Sequence, residues 1–196
     1  MFWLIIAMVV WGILHSWLAS LSFKDFLRRT YGDGFMRLYR LLYNLFAVIS
    51  FMPVLYLMVS LPDQTLYQVP QPWSYLMRAG QGISLLLLIV SVLQTDILSF
   101  AGLRQLVEEE KKSGLVTRGL YRFVRHPLYT FSLFILWLSP AMSLNSFVVY
   151  TALTVYTLIG IRFEERKLLR EFGSDYAKYR STTPMLIPGL KLGGNK

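Results

Sequence analysis

The sequence predicts an all-α integral membrane protein, namely a bundle of five transmembrane helices whose last two form a hairpin, followed by a cytoplasmic helical tail. Three observations predict this class. Of the 196 residues, 55% are hydrophobic and only 16% are charged, a balance far from that of soluble domains. The apolar residues form five stretches, each near the length that a tilted helix needs to cross a bilayer. Basic residues collect in alternate segments between these stretches.

Short polar or turn-forming segments separate the five apolar stretches. The stretches are residues 1–21, 41–61, 80–102, 128–144 and 146–161. The first has no basic residue before it and no small-residue cleavage pattern after it, so we expect a retained helix and not a signal peptide. No linker is long enough to separate two domains. We therefore expect a single membrane domain, in which residues 1–102 carry the first three helices and residues 103–196 form the half that binds a ligand.

The basic residues predict the orientation of the helices. Five, six and eight Lys or Arg residues follow the first, third and fifth stretches, whereas residues 62–74 contain Asp63 and no cation. Because Lys and Arg in short loops collect on the cytoplasmic side, we expect the N-terminus outside and the C-terminus in the cytoplasm. The net charge of +9 then reflects topology and anionic lipids. Membrane lipids are expected partners, and nucleic acid is not.

Cysteine and histidine content limits the chemistry. The chain has no Cys, which excludes disulfides, thiolate metal sites and cysteine nucleophiles. With His15 and His126 as the two imidazoles, no metal site is expected. Residues 103–112 are apolar on one side and charged elsewhere, a pattern that fits either an interfacial helix or a solvated loop helix.

Two polar patches lie at equivalent places on the two arms of the predicted hairpin. His126 lies 18 residues before a turn near Leu144, and Arg162 lies 18 residues after it. At about 1.5 Å per residue each arm is roughly 27 Å long, close to the hydrocarbon thickness of a bilayer. Both patches are therefore expected at one face of the membrane. Their members are Arg125, His126, Pro127 and Tyr129 on one arm, and Arg162, Glu164, Glu165 and Arg166 on the other.

The helix boundaries support a binding site at this face. Pro127 fits the first turn of the fourth helix, which places His126 just before a helix N-terminus that attracts an anion such as a carboxylate. The helical pattern continues past Ile161 to a predicted stop at Gly173. The tail beyond it either folds over the site as a lid or anchors the chain at the interface. Its aromatic and basic members are Tyr176, Tyr179 and Arg180.

Taken singly, each patch has a simpler interpretation. Arg125 is typical of a cation that marks membrane topology, and Glu164 and Glu165 fit a solvated helix face. Their shared depth favours a site for a ligand that carries a carboxylate, an ammonium and hydroxyls. S-adenosylmethionine is such a molecule, and its methyl group is already activated, so positioning supplies much of the catalysis. Soluble proteins bind it with a glycine-rich loop, but the glycines at 32–34 and 80–82 are interpreted as turn and packing residues.

Several motifs resemble a known family. This chain resembles the isoprenylcysteine carboxyl methyltransferase superfamily of membrane methyltransferases, which includes the phospholipid N-methyltransferases. The motifs that carry the resemblance are Gly119-Leu120-Tyr121-Arg122, Val124-Arg125-His126-Pro127-Leu128-Tyr129, Glu164-Glu165 and Phe172-Gly173. Other stretches resemble its bacterial methanethiol S-methyltransferase branch and the denitrification-associated relatives of that branch. These stretches are His15-Ser16, Gly102-Leu103-Arg104-Gln105, Ser139-Pro140 and Pro184-Met185-Leu186-Ile187-Pro188.

The resemblance implies an S-adenosylmethionine-dependent enzyme of the bacterial inner membrane, whose cofactor pocket is closed by the cytoplasmic loop and tail. A thiol such as methanethiol is the favoured acceptor, and a prenylated carboxylate or a lipid amine is the alternative.

This chain departs from the thiol-methylating branch at one place. That branch carries a histidine and an acid where this chain has Ile97 and Ser99. A non-catalytic membrane subunit on the same scaffold is the rival hypothesis, and the oligomeric state stays open. The implied pocket residues are Tyr121, Arg125, His126, Pro127, Tyr129, Glu164 and Glu165.

A thiol acceptor must lose its proton before or during its attack on the methyl group. Glu165 is the first candidate base, and His126 and His15 are the second candidates. Partial desolvation at the membrane edge is expected to raise the pKa of the Glu165 carboxyl toward neutrality.

Overall fold

The computed structural model describes residues 1–95 and 114–190, and this part of the chain is mainly helical, as predicted. The predicted interfacial helix at residues 103–112 and the end of the third predicted stretch lie outside the described residues, as do Ile97 and Ser99. In chain order the elements are α1 (Phe2–Ala19), α2 (Leu21–Ser60), β1 (Thr65–Gln68), α3 (Trp73–Leu93), a 3₁₀ turn (Gly119–Arg122), α4 (Pro127–Trp137), β2 (Ala141–Ser143) and α5 (Leu144–Thr182).

Four helices of the described ranges are long and apolar enough to cross a membrane, namely α1, α2, α3 and α5. Large apolar side chains cover their outer surfaces; for example, Val59 is 75% exposed and Tyr56 is 69% exposed. An apolar surface of this extent is typical of a face that lipid covers. The chain is an integral membrane protein.

The fourth predicted stretch, residues 128–144, does not form one long helix. α4 has 11 residues, so it is roughly 16 Å long and covers about half of the hydrocarbon thickness. The chain then leaves the helix at Ser139-Pro140, because proline has no N–H to continue the helical hydrogen bonds. A count of five spans therefore stays a prediction.

A short two-stranded sheet follows α4 and corrects the purely helical expectation. β1 pairs with β2. The Val69 N–H donates to the Pro140 carbonyl at 2.8 Å, and the Leu144 N–H donates to the Gln64 carbonyl at 2.8 Å, so the pairing is antiparallel. Such pairing satisfies backbone groups of the two segments that connect the helices, residues 61–72 and 138–143.

The described residues fall into two compact units. The first contains residues 1–64 and 143–149, and the second contains residues 65–95, 114–142 and 150–190. In the first unit α1 and α2 form a hairpin. Ser20 caps the start of α2 by accepting a hydrogen bond from the Phe23 N–H at 3.3 Å. α2 is interrupted at Gly32, whose φ of 76° few other residues adopt, in agreement with the turn predicted there.

In the second unit α3 packs against α4. A Cβ atom at Gly80 would lie 3.0 Å from a Leu138 methyl group, so the two helices approach closely at this glycine. Next to it, the Gln81 side-chain amide donates to the Ile135 carbonyl at 2.8 Å. Small residues and interhelical hydrogen bonds are typical of helix contacts in membranes. Gly80 therefore belongs to a packing surface, as predicted, whereas a Cβ atom at Gly82 would meet no atom within 4 Å.

Asn145, at the start of α5, closes the end of α2 within the first unit. Its side-chain amide lies 3.3 Å from the Leu61 carbonyl and 3.4 Å from the Met58 carbonyl. Its backbone N–H donates to the Asp63 carboxylate at 3.0 Å. Asn145 is 1% exposed, so these carbonyls have little access to water. One buried amide thus satisfies carbonyls that the end of α2 leaves unpaired.

We expect Asn145→Ala to lower the free energy of unfolding by about 1–3 kcal/mol, because it removes the donor that satisfies buried carbonyls. The measurement is the thermal unfolding midpoint of the purified protein in detergent. Gln68→Ala, at an exposed position of β1, is the matched control and should leave the midpoint nearly unchanged. Equal midpoints for Asn145→Ala and the wild type would contradict this role.

Candidate functional site

The candidate site lies within the second unit, where four parts of the chain meet. They are the 3₁₀ turn, the start of α4, the part of α5 that follows its apolar stretch, and the segment after α5. We call this last segment, residues 183–186, the C-terminal strap. The predicted convergence of the two polar patches is present, since His126 Nε2 lies 3.4 Å from Glu165 Oε1.

A buried ion pair joins the two patches. Arg125 Nε donates to Glu165 Oε1 at 2.7 Å, and Arg125 Nη2 lies 2.6 Å from the same oxygen. The two side chains are 8% and 7% exposed. Arg180 Nε lies 3.5 Å from Glu165 Oε2. Charges withdrawn from water interact strongly when their geometry is good, so this pair holds the start of α4 against α5.

His126 lies between two carboxylates. Its Nε2 faces Glu165, and its Nδ1 lies 3.7 Å from Glu164 Oε2. The imidazole is 4% exposed. An ionised Glu165 accepts the proton of Nε2, and in the neutral ring this tautomer leaves Nδ1 as the nitrogen that can accept a proton.

The pKa of Glu165 moves in the direction opposite to the one expected. Burial alone raises the pKa of this carboxyl, but the hydrogen bonds from His126 and Arg125 and their charges outweigh burial and lower the pKa to about 2. Glu165 follows the apolar stretch of α5 that ends at Ile161. The expected rise is wrong because the sequence does not show that Arg125 lies against Glu165 and compensates for its desolvation. Glu165 is thus ionised at neutral pH.

The 3₁₀ turn places Tyr121 beside the patches. It begins at Gly119, where φ is 65° and a Cβ atom would lie 2.4 Å from Gln94 Oε1. The same Gln94 oxygen accepts the Leu120 N–H at 2.8 Å. Burial, and then the negative charge of Glu164, raise the pKa of the Tyr121 hydroxyl to about 12. Tyr121 therefore remains a neutral hydrogen-bond donor over the ordinary pH range.

The tail beyond Gly173 returns to the site, which favours the lid hypothesis over simple interfacial anchoring. Gly173 breaks α5 with a φ of 52°, at the predicted stop, and the helical course then resumes to Thr182. The Tyr179 hydroxyl donates to the Tyr121 carbonyl at 2.5 Å. Tyr176 is 1% exposed, and its pKa is raised by burial and by the negative charge of Glu165.

The C-terminal strap was not predicted as part of the site. The Arg125 N–H donates to the Pro184 carbonyl at 2.9 Å, and the His126 N–H donates to the Met185 carbonyl at 3.2 Å. The Thr130 hydroxyl donates to the Leu186 carbonyl at 2.8 Å. Backbone carbonyls carry no residue-specific signal, so the two prolines of Pro184-Met185-Leu186-Ile187-Pro188, which prevent helix continuation, are the available hint.

Two buried polar atoms in this region, Glu164 Oε2 and the Tyr176 hydroxyl, make no hydrogen bond of good geometry within residues 1–95 and 114–190. Each has a polar neighbour, which is His126 Nδ1 at 3.7 Å for Glu164 and the Glu165 carboxylate for Tyr176. A buried polar atom without a partner is costly, and such atoms in native proteins often mark a place where a ligand or water binds. Together they offer an acceptor and a hydroxyl to a bound molecule.

The remaining predicted residues have different surroundings. Pro127 is the first residue of α4, as predicted, and the Tyr129 ring lies 5.7 Å from the His126 ring. His15 lies in the first unit, where its Nε2 is 2.6 Å from the Tyr43 hydroxyl and its ring stacks on Trp11. The roles proposed for these residues stay predictions. In the part of the chain that the structure describes, no group of three or more His, Asp or Glu residues is arranged to hold a metal ion.

Comparison with known proteins identifies the family. Residues 3–190 match the family described as NnrU protein. The chain belongs to the NnrU family. No solved structure matches it.

Several curated proteins are similar to this NnrU-family chain over part of its length. Methanethiol S-methyltransferase from Crocosphaera subtropica is 35% identical over 107 residues, which are 52% of this chain and 42% of that protein. Methanethiol S-methyltransferase 2 from Bradyrhizobium diazoefficiens is 45% identical over 71 residues, 36% of this chain and 27% of that protein. Protein-S-isoprenylcysteine O-methyltransferase from Schizosaccharomyces pombe is 38% identical over 78 residues, 38% of this chain and 33% of that protein.

The matched region covers less than half of each of these relatives. The similarities nevertheless confirm the resemblance to the isoprenylcysteine carboxyl methyltransferase superfamily and to its methanethiol S-methyltransferase branch. The NnrU-family chain is therefore a relative of membrane methyltransferases.

The low pKa of Glu165 predicts how stability depends on pH. A carboxyl whose pKa is lower in the folded state than its ordinary 4.5 stabilises the fold above that value. This stabilisation is lost as pH falls from about 4.5 toward the folded value of about 2. We expect Glu165→Gln to unfold at a lower temperature than the wild type at pH 7, and the difference to shrink across this window. The measurement is the thermal midpoint in detergent between pH 2 and pH 7.

Glu171→Gln changes an exposed acid of the same helix and is the matched control. It should reproduce the wild-type curve. A Glu165→Gln curve parallel to that of the wild type through the whole window would show that the ion pair does not stabilise the fold.

Proposed function

We propose that this protein transfers a methyl group from S-adenosylmethionine to a small or lipophilic acceptor at the membrane, with a thiol such as methanethiol favoured. The observation that carries the proposal is the buried cluster of Arg125, His126 and Glu165. Beside it, Glu164 Oε2 and the Tyr176 hydroxyl make no hydrogen bond of good geometry with any described residue. The names of the methyltransferase relatives support it.

The described residues fit the chemical groups of S-adenosylmethionine. Glu164 offers a carboxylate to an ammonium or to ribose hydroxyls, and Tyr176 and Tyr121 offer neutral hydroxyls. The start of α4 provides backbone N–H groups and a partial positive charge for a carboxylate. These residues, with His126, Pro127, Tyr129, Arg125 and Glu165 around them, form the proposed cofactor site.

When bound, S-adenosylmethionine would supply a methyl group that is already activated for direct displacement. The chain then has to align the acceptor, exclude water and remove a proton. Of the proposed bases, His126 has the more suitable chemistry, because Nδ1 can take the thiol proton while Nε2–H stays hydrogen-bonded to Glu165. Glu165, with its pKa held near 2, is a weak proton acceptor and would orient the ring. His15 stays an alternative candidate base.

We also propose an inner-membrane location with the N-terminus outside and the C-terminal site in the cytoplasm. The basic residues that follow the first, third and fifth apolar stretches support this orientation. Water-soluble S-adenosylmethionine would then enter from the cytoplasm, whereas a lipophilic acceptor would enter from the bilayer. A prenylated carboxylate or a lipid amine is the alternative acceptor.

Binding of the demethylated cofactor distinguishes the enzyme hypothesis from that of a non-catalytic subunit on the same scaffold. We expect the purified protein in detergent to bind S-adenosylhomocysteine, and Glu164→Gln to weaken binding by about tenfold or more, since a charged hydrogen bond is lost. Isothermal titration calorimetry gives both affinities. Glu171→Gln should bind as the wild type does. No binding to the wild type would overturn the proposal and favour the subunit hypothesis.

The acceptor is identified by the fate of a labelled methyl group. Membranes that contain the protein are incubated with methyl-labelled S-adenosylmethionine and with methanethiol. We expect label in a volatile thioether in the headspace. Label in the lipid fraction indicates a lipid amine, and base-labile label on protein indicates a carboxylate, and either result would overturn the thiol assignment.

The role of His126 is tested by the pH dependence of turnover. We expect His126→Asn to lower kcat about 10²-fold or more at pH 7 with a thiol acceptor, because general-base catalysis contributes about that much. Its rate should then rise with pH, as the thiol ionises in solution without help. A loss of the same size at every pH would argue against proton transfer to His126.

A further inference from the structure

The geometry points to Arg125 as a positioning residue that fastens the C-terminal strap over the site, and not as the group that binds the carboxylate of the cofactor. The inference rests on the proposed function for the identity of the ligand. Its structural part, the fastening of residues 183–186, is independent of that identity.

The hydrogen-bond donors of Arg125 are almost fully used inside the protein. A guanidinium has five N–H groups. Nε and Nη2 are directed at Glu165 Oε1, at 2.7 and 2.6 Å. Nη1 donates to the Arg180 carbonyl at 3.1 Å and also to the Thr183 carbonyl. One N–H of Nη2 remains, whereas bidentate binding of a carboxylate needs two.

The strap is bound along its whole length to the start of α4. Its first carbonyl, that of Thr183, accepts from the Arg125 side chain, and the next two accept the backbone N–H groups of Arg125 and His126. The last carbonyl, that of Leu186, accepts the Thr130 hydroxyl at 2.8 Å. Residues 183–186 are therefore held by consecutive bonds to the stretch that contains His126.

The fastening couples the strap to the chemistry of the site. Arg125 binds the strap and Glu165 with one planar group, and Glu165 accepts the Nε2 proton of His126. Loss of the Arg125 side chain removes the bonds to the Arg180 and Thr183 carbonyls, at the start of the strap, and also leaves a buried carboxylate without its arginine beside the imidazole. Arg125 would thus influence both the position of the strap and the orientation of His126 without binding the carboxylate of the ligand.

Limited trypsin digestion measures the fastening directly. Cleavage after Arg180 requires its carbonyl, which Arg125 Nη1 holds at 3.1 Å. We expect Arg125→Gln to speed the release of the fragment that begins at Ser181, quantified by mass spectrometry. Arg125→Lys keeps a cation for Glu165 but has no planar fork, so it should be cleaved at an intermediate rate. Arg122→Gln, which removes an exposed arginine three residues earlier, is the control and should be cleaved as the wild type is.

The affinities of two nucleosides distinguish a positioning role of Arg125 from direct binding of the cofactor carboxylate by Arg125. S-adenosylhomocysteine carries the amino-acid carboxylate, and 5′-methylthioadenosine lacks the amino-acid end. A positioning role predicts that Arg125→Gln weakens both by the same factor, about tenfold for loss of a charged contact, with Arg125→Lys restoring part of both. Direct binding predicts that the affinity for S-adenosylhomocysteine falls while that for 5′-methylthioadenosine is unchanged, and this result would overturn the inference.

Thr130→Val provides a second test that leaves the charges intact. It removes the hydroxyl bond at the far end of the strap and should increase cleavage after Arg180 by less than Arg125→Gln does. If Arg125→Gln does not fold, this variant and Arg125→Lys carry the test. Wild-type cleavage rates in all three variants would refute the fastening. A wild-type protein that binds neither nucleoside would refute the proposed function, while the digestion would still decide the fastening.

Discussion

The buried ion pair of Arg125 and Glu165 holds the second unit together. One guanidinium joins the start of α4 to Glu165 on α5, 40 positions further along the chain, and to the Thr183 carbonyl of the C-terminal strap, 58 positions further along. Breaking a buried pair by removing one partner costs about 3–5 kcal/mol, because the other charge stays buried without compensation. The pair therefore makes separate segments cooperative, and the orientation of His126 follows from it.

Backbone hydrogen bonding accounts for much of the remaining architecture. A membrane protein has to satisfy its polar groups internally wherever water is excluded, and this requirement is hardest to meet where helices end. At the end of α2 the Asn145 amide pairs with carbonyls. After α4 the short β1–β2 pairing satisfies backbone groups of the segment that leads to α5. At the start of α4 the strap carbonyls take the N–H groups of Arg125 and His126.

Much of the helical organisation follows from local pattern. Apolar stretches of sufficient length locate the spanning parts of α1, α2, α3 and α5, and the glycines at 32 and 173 interrupt helices where turns were predicted. The fourth stretch was drawn too long, since its hydropathy continues through Ser139-Pro140 although the helix ends at Trp137. Hydropathy records the apolar character of a segment, not whether its backbone stays helical.

The class of protein and the chemical groups of the site follow from the amino-acid sequence. Composition, basic-residue placement and the motifs around His126 and Glu165 are local properties, so they can be read without coordinates. Which polar groups of the site already have partners within the protein depends on its tertiary structure. Contacts between residues up to 58 positions apart decide the low pKa of Glu165, the pairing of the Arg125 donors and the role of the strap. Several of the acceptors in these contacts are backbone carbonyls, which every residue carries, so no residue type indicates them.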